Sequence, residues 1–498
     1  MPPTDLEARL ERGLKTAGLF AGPSFALAVF LWNPGGHPPE ARRLLAILSL
    51  AIAWWITEAI PLPATALVAS ALAIAAGVAP ARQVLAPYAD PVIFLFLGSF
   101  LLAEAVSRYG LDVRIASWLL GLPIFARTAP GRMAAFGTAS ATISTVLSNT
   151  ATAALMTPIA LGALGEKGEG RPRRADSGVL LMIAYGASVG GMATIIGTPP
   201  NLLVAGFLER LAGVRVTFTG WLVFGFPIAF TLLVVSLALT RLTLGRGLAE
   251  PLPDVVAPPA ADGRDEEARE RRAGAGWTML AFSLAFSLWL APSAAQGLLG
   301  REHPVAVALG KHFPEAGVAL LCATLLFLAP VSWRRRRFAL SWADGQRVNW
   351  GVLMLFGGGL SLGTLGEATG IAKWAGEGVV SSGLATSPES FMLVAVIAAV
   401  TVSEFASNTA SATLIVPIVI AAARQAGFDP VPPALAAGLA ATCGFIFPVS
   451  TPPNAIVFGT GRVPLTRMIR AGALLDVACV VIVWVGVLLL RPWLPRAG

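Results

Sequence analysis

Apolar residues run through the chain in long blocks, with neither the strict alternation of strands nor the narrow stripe of a soluble helix. A helix needs about 20 residues to cross a bilayer. By that measure continuous spans are expected near 16–33, 43–60, 63–80, 92–107, 178–208, 220–240, 276–293, 316–332, 348–366, 434–460 and 470–490. Two further stretches, about 133–163 and 391–421, are interrupted near their middles by polar Ser-Asn-Thr. Each half is too short to cross alone, so both stretches are expected to be re-entrant helical hairpins. The pattern predicts an all-α polytopic membrane protein of about eleven spans and two hairpins, because helices satisfy their own backbone in lipid.

The two halves of the chain repeat each other. Ser148-Asn149-Thr150-Ala151 answers Ser407-Asn408-Thr409-Ala410, and Thr198-Pro199-Pro200-Asn201 answers Thr451-Pro452-Pro453-Asn454. Two motifs in the same order indicate duplication. The expected organisation is an N-terminal segment with the first span (1–42), repeat 1 (43–240), a charged linker (241–275) and repeat 2 (276–498). If each repeat holds five spans and one hairpin, the odd number turns the second repeat upside down relative to the first.

Composition sharpens this picture. Hydrophobic residues make up 55% and charged residues 13% of the chain, against about 25% charged in a soluble domain. The net charge of +8 does not point to nucleic acid, because the arginines cluster between apolar runs. Placing the N-terminus in the cytoplasm puts Arg9, Arg12, Lys15, the stretch 167–174, the linker, Arg334 to Arg337, Arg462, Arg467 and Arg470 on that side. The first fifteen residues lack the features of a signal peptide. Cys322, Cys443 and Cys479 show no paired spacing and are expected to be separate packing residues, with neither a disulfide nor a zinc site. His37, His303 and His312 lie in polar, Pro- or Gly-flanked stretches, which removes the usual general bases.

The candidate chemistry lies where helices break. Half-helix N-termini offer free N–H groups to anions, and unwound carbonyls coordinate cations. The Ser-Asn-Thr tips supply hydroxyls and amides. The segments 190–201 and 443–454 combine glycine with paired proline and should unwind at membrane depth. The four motifs contain no Asp, Glu, His, Lys or Arg, which favours Na+ over protons as the coupling ion. Glu404, three residues before Ser407, is either a hairpin-stabilising carboxylate or a direct participant. Glu58, Asp90, Glu104 and Asp476 are expected at span ends or paired within the bundle, with no transport role. The motifs also lack the Gly-Lys-Ser/Thr of a nucleotide site. A serine nucleophile at Ser148 or Ser407 would lack a base, which makes an intramembrane enzyme a remote reading.

These motifs, with Trp54-Trp55-Ile56-Thr57-Glu58-Ala59-Ile60-Pro61 and Asn349-Trp350-Gly351, resemble the divalent anion/sodium symporter family of sodium-coupled dicarboxylate, citrate and sulfate transporters. The resemblance implies a homodimer of scaffold and transport domains working by an elevator movement. It implies a first Na+ site at Ser144, Ser148, Asn149 and Gly197, and a second at Ser403, Ala406, Asn408 and Ser450. Substrate carboxylates would meet Asn149, Thr150, Asn408, Thr409, Thr451 and Pro452. Tips that both end in Thr look more like dicarboxylate than sulfate transporters. The function so implied is Na+-coupled symport of C4 dicarboxylates across the cell membrane. Na+-independent exchange, or citrate or sulfate as substrate, stays open as an alternative.

Overall fold

The structure, a computed structural model, describes residues 5–33, 35–125, 128–165, 173–244, 266–300, 302–383 and 386–495. The first half comprises α1 (Asp5–Trp32), α2 (Pro39–Thr57), α3 (Leu62–Ala75), α4 (Ala81–Leu85), α5 (Pro91–Arg108), α6 (Leu111–Leu120), α7 (Ala129–Ser144), α8 (Asn149–Leu164), α9 (Arg174–Met192), α10 (Pro199–Ala212) and α11 (Phe218–Leu244). The second half opens with α12 (Glu266–Leu299), α13 (Pro304–His312), α14 (Glu315–Leu328) and a small antiparallel pair, β1 (Pro330–Ser332) and β2 (Arg337–Phe338). It continues with α15 (Trp342–Gly345), α16 (Trp350–Ala368), α17 (Ile371–Ser381), α18 (Pro388–Phe405), α19 (Asn408–Gln425), α20 (Val431–Ala440), α21 (Pro452–Gly459) and α22 (Leu465–Leu490).

The protein is all-α and polytopic. Among the described residues, eight helices are long and apolar enough to cross a membrane, or nine if the α13–α14 pair, bent by 62°, counts as one span. The expected eleven spans map onto these helices with three kinds of departure. The window 43–60 becomes α2, whose first turns carry Glu40, Arg42 and Arg43, and the window 63–80 becomes α3, of 14 residues. The windows 178–208 and 434–460 each divide into two helices, α9 with α10 and α20 with α21. Conversely, α18 reaches 18 residues and meets the length of a span, although the sequence made it half of a hairpin too short to cross.

Two further expectations are corrected. The linker of 241–275 is not charged coil throughout: α11 runs to Leu244 and α12 begins at Glu266, while residues 245–265 lie outside the described residues. Arg335 reaches Glu266 at 2.7 Å and Arg337 reaches Glu270 at 3.0 Å, so the β1–β2 turn fixes the start of α12. Cys443 and Cys479 form a disulfide, whereas Cys322 is free and buried. A separation of 36 residues carries no signal in sequence; the bond follows from α22 packing along the end of α20.

Helix ends follow local rules. Asp90 caps α5 through the amide of Val92, Thr128 caps α7 through that of Gly131, and proline opens α2, α3, α5, α7 and α10 within the first two positions, where its missing N–H costs nothing. At the centre of the molecule α9 is buried along its whole length. It crosses α7 at backbone contact: a Cβ on Gly190 would stand 2.1 Å from the Ala141 carbonyl oxygen. Small residues at such a crossing replace the hydrophobic drive that lipid cannot supply.

The basic loops that the sequence assigns to one side meet one another. Arg462 donates to the Gly165 carbonyl at 2.7 Å, Arg467 to the Arg173 carbonyl at 3.2 Å, and Arg174 to the Leu244 carbonyl at 2.8 Å. Asp344, in the turn before α16, is opposed by burial, yet the Ser341 hydroxyl and amide and the Arg108 guanidinium hold its carboxyl below the usual range.

Candidate functional site

Four breaks converge because the two halves interlock. α8, which begins at the first tip, packs on α21 of the second half, and α19, which begins at the second tip, packs on α10 of the first. Each tip is a tight turn between two helices. Ser148 caps α8 by accepting from the Ala151 amide at 3.3 Å, and Ser407 caps α19 by accepting from the Ala410 amide at 3.2 Å. The amides of the first two helical residues have no intrahelical partner, so Asn149 and Thr150, and Asn408 and Thr409, carry free donors and the positive ends of the helix dipoles.

The first cradle is made of neutral oxygens. Ser144, fully buried, donates to the Asn149 side-chain carbonyl at 2.9 Å. The chain between α9 and α10 is unwound, and Asn201 holds it by donating to the carbonyls of Gly191 and Thr194, both at 2.8 Å. Thr194 in turn donates to the Thr145 carbonyl at 2.6 Å, tying the unwound chain to the hairpin. Gly197 fits against Ser144 because a Cβ there would stand 3.0 Å from the Ser144 carbonyl oxygen and 2.5 Å from that of Gly191.

The second cradle repeats the plan. Ser403, also fully buried, donates to the Asn408 side-chain carbonyl at 2.9 Å. Asn454 donates to the carbonyls of Gly444 and Phe447, both at 3.0 Å. Asn408 itself donates to the Thr442 carbonyl at 3.2 Å. Ala406 is buried at the C-cap of α18, with its amide bonded to the Val402 carbonyl. Ser450 is where the plan changes: its hydroxyl donates to the Glu404 carboxylate at 2.6 Å, and the other carboxylate oxygen accepts from the Ile446 amide at 3.1 Å.

Every side chain named from the sequence therefore lies at a break, with distinct tasks. Ser144, Asn149, Gly197, Ser403, Ala406, Asn408 and Ser450 line the cradles. The hydroxyls of Ser148 and Ser407 are engaged in capping, and Thr150 stands exposed. Thr451 accepts from the Asn454 amide at 3.4 Å and is buried, while Pro452 next to it is exposed. The donor set is oxygen only, from hydroxyls, amides and main-chain carbonyls, which suits a hard cation such as Na+ over a soft metal.

Sequence reasoning gave Asn201, Asn454 and Asp476 no part in the site. Asn201 and Asn454 sat inside the repeated Thr-Pro-Pro-Asn and were quoted without a role, though a buried amide after two prolines has only its side chain to organise the unwound chain. Glu404, for which the sequence offers a hairpin-stabilising or a direct role, braces the second cradle through Ser450 and the Ile446 amide. Asp476 is not at a span end: it lies within α22, inside the bundle and 5% exposed, beside Glu404. By contrast Asp90 caps α5 and approaches Arg210 at 3.4 Å, and Glu104 approaches Arg347 at 3.8 Å, as expected of intrabundle acids.

Comparison with known proteins shows the family. Residues 19–494 match the model of the sodium:sulfate symporter transmembrane region. An uncharacterized transporter of Haemophilus influenzae is 34% identical over 453 residues, covering 89% of this chain and 91% of the relative. The sodium-dependent dicarboxylate transporter SdcS of Staphylococcus saprophyticus is 31% identical over 496 residues, covering 95% of this chain and 91% of the relative. Among solved structures, the YdaH transporter of Alcanivorax borkumensis, described as having an unusual topology, aligns with a TM-score of 0.52 at 18% identity, covering 80% of this chain and 85% of that one, a likeness of fold alone. With nearly the whole chain matched, the protein belongs to the sodium:sulfate symporter family of membrane transporters.

Proposed function

We propose that the protein is a secondary transporter in the cell membrane that couples Na+ entry to uptake of C4 dicarboxylates such as succinate, malate and fumarate. The observation that carries this reading is the duplicated cradle: Ser144 on Asn149 and Ser403 on Asn408, each at 2.9 Å beside an unwound chain held by Asn201 or Asn454. The relatives named sodium-dependent dicarboxylate transporters add weight to the choice of ion and substrate.

The chemistry runs through neutral groups. Side-chain carbonyls of Asn149 and Asn408, hydroxyls of Ser144 and Ser403, and carbonyls around Gly197, Ala406 and Ser450 offer each cradle a Na+ coordination set. The first amides of α8 and α19 present two positive helix ends to the two carboxylates of one substrate, with Thr150, Thr409 and the Thr451-Pro452 backbone as further contacts. Bound Na+ lies beside each end and adds to its field, so substrate binding is favoured only once the cations are in place. The two repeats are inverted in this reading, the N-terminus is cytoplasmic, and a dimeric scaffold supports an elevator movement of the cradles.

The test is uptake of labelled succinate into proteoliposomes with an imposed Na+ gradient, repeated with K+ or choline and with succinate preloaded inside. Accumulation that requires the Na+ gradient is the expected result. Uptake that requires internal dicarboxylate and ignores Na+ would replace symport with exchange and overturn the coupling.

A further inference from the structure

The second cradle is backed by a face of α22 built to reach it. On that face Gly472, Asp476 and Cys479 follow at helical spacing. A Cβ on Gly472 would stand 2.0 Å from the Phe445 carbonyl oxygen, so α22 lies directly on the unwound chain. One turn later Asp476 meets the Glu404 carboxyl and the vicinity of the Phe445 amide, and Cys479 is bonded to Cys443. Neither Asp476 oxygen receives a well-formed hydrogen bond, and the residue is 5% exposed. A third oxygen lies in the same interior: the Tyr185 hydroxyl of α9 is fully buried, has no hydrogen-bond partner, and feels the charge of both carboxyls. The Tyr185 ring is fixed edge-on to Phe445 at 5.3 Å.

Two carboxyls facing each other away from water either share a proton or hold a cation between them. The packed elements supply none nearby. α9 carries Arg174 and Asp176 in its first turn; α18 carries Glu389 and Glu404; α20 carries no charge; α11 carries Arg241 at its far end. On α22 itself, Arg467 is bonded to Arg173 and Ser177, and Arg470 lies about 9 Å along the axis from Asp476 at the usual helical rise. The first half lacks the group altogether: Gly225 of α11 approaches the Met192 carbonyl as Gly472 approaches that of Phe445, and the residue four further on is Ala229.

We propose that Asp476, Glu404 and the Tyr185 hydroxyl form a third Na+ site, behind the second cradle and separate from both tips. This inference rests on the Na+-coupled reading. All its ligands are oxygens, as a hard cation prefers. Because Glu404 also holds Ser450 and the Ile446 amide, a cation at Asp476 would fix the unwound chain before substrate arrives.

Equilibrium binding of 22Na+ to the full-length protein in lipid nanodiscs separates the possibilities. Asp476→Asn is expected to bind one Na+ fewer per chain than wild type while keeping the ion lost in Asn408→Ala. Asp476→Glu is expected to retain the full number, which controls for folding, and Tyr185→Phe to keep it with about tenfold weaker affinity at that site, as for one lost ligand worth about 1.4 kcal/mol. If Asn408→Ala loses an ion and Asp476→Asn loses none, the third site is wrong and a proton occupies the carboxyl pair. If wild type binds no Na+ saturably, the functional reading itself falls.

Discussion

The two cradles share a plan and differ in charge. In the first, the residue three before the tip serine is Thr145, the residue before the Thr-Pro-Pro-Asn motif is Gly197, and α11 presents Ala229. In the second, the same three positions hold Glu404 and Ser450, bonded to each other and to the unwound chain, and Asp476, buried beside Glu404. The first is held by neutral donors on carbonyls, the Asn201 amide on Gly191 and Thr194 at 2.8 Å and the Thr194 hydroxyl on Thr145 at 2.6 Å. A duplicated frame has thus kept its serine-to-asparagine bond at 2.9 Å in both copies while its backing has diverged. On the proposed function, the frame serves what both halves bind and the backing what only the second does.

The largest expected effect comes from putting the missing acid into the first half. Ala229→Asp buries a carboxyl where no second acid, tyrosine hydroxyl or cation awaits it, at about 3–5 kcal/mol. Thermal unfolding in nanodiscs should reveal a protein that does not remain folded, and a stable Ala229→Asp would break the comparison. Next come Asn201→Ala and Asn454→Ala, each of which strips two carbonyls of their donor, at about 1–3 kcal/mol apiece. Uptake should fall by about 50-fold or more in both, in near-equal measure if the frame is shared. Asn149→Ala and Asn408→Ala should each cut uptake by about tenfold or more at one lost charge-assisted contact of about 1.5–3 kcal/mol, with the folded protein retained on size exclusion. Normal transport at low Na+ in both would remove the tips from the site. The smallest change is Thr194→Val, which loses one bond of about 1 kcal/mol. It should raise the half-saturating Na+ concentration by about fivefold, whereas the corresponding Phe447, which bonds through its backbone, offers no such handle.

Much of the site was legible because its parts are local in sequence. A serine that caps, an asparagine and threonine at the first helical positions, and a double proline after glycines each act on the nearest turn of chain, and the duplication doubled every signal. The breaks between α9 and α10 and between α20 and α21 could be placed for the same reason. What stayed hidden was contact between distant residues. Asp476 reads as an ordinary acid in an apolar run until α22 is laid on Phe445, and Cys443 and Cys479 read as separate packing residues until that same contact joins them. Span counting failed where apolarity and length part company: α3 is apolar but short, and α18 is longer than a half-hairpin needs. The start of α12 reads as linker in sequence because Glu266 and Glu270 look solvated until Arg335 and Arg337 arrive from the β1–β2 turn.

The interlocking of α8 with α21 and of α10 with α19 also sets a schedule for biogenesis. The first tip emerges with Asn149, but its cover begins at Pro452, about 300 residues later, which at about 5–20 residues per second is about 15–60 s of synthesis. For that interval the polar turn at 148–150 sits in the membrane without its partner helix, where lipid offers no hydrogen bonds. The insertion machinery must therefore shelter a half-built protein, and the first half becomes a finished structure only when the last short helix arrives.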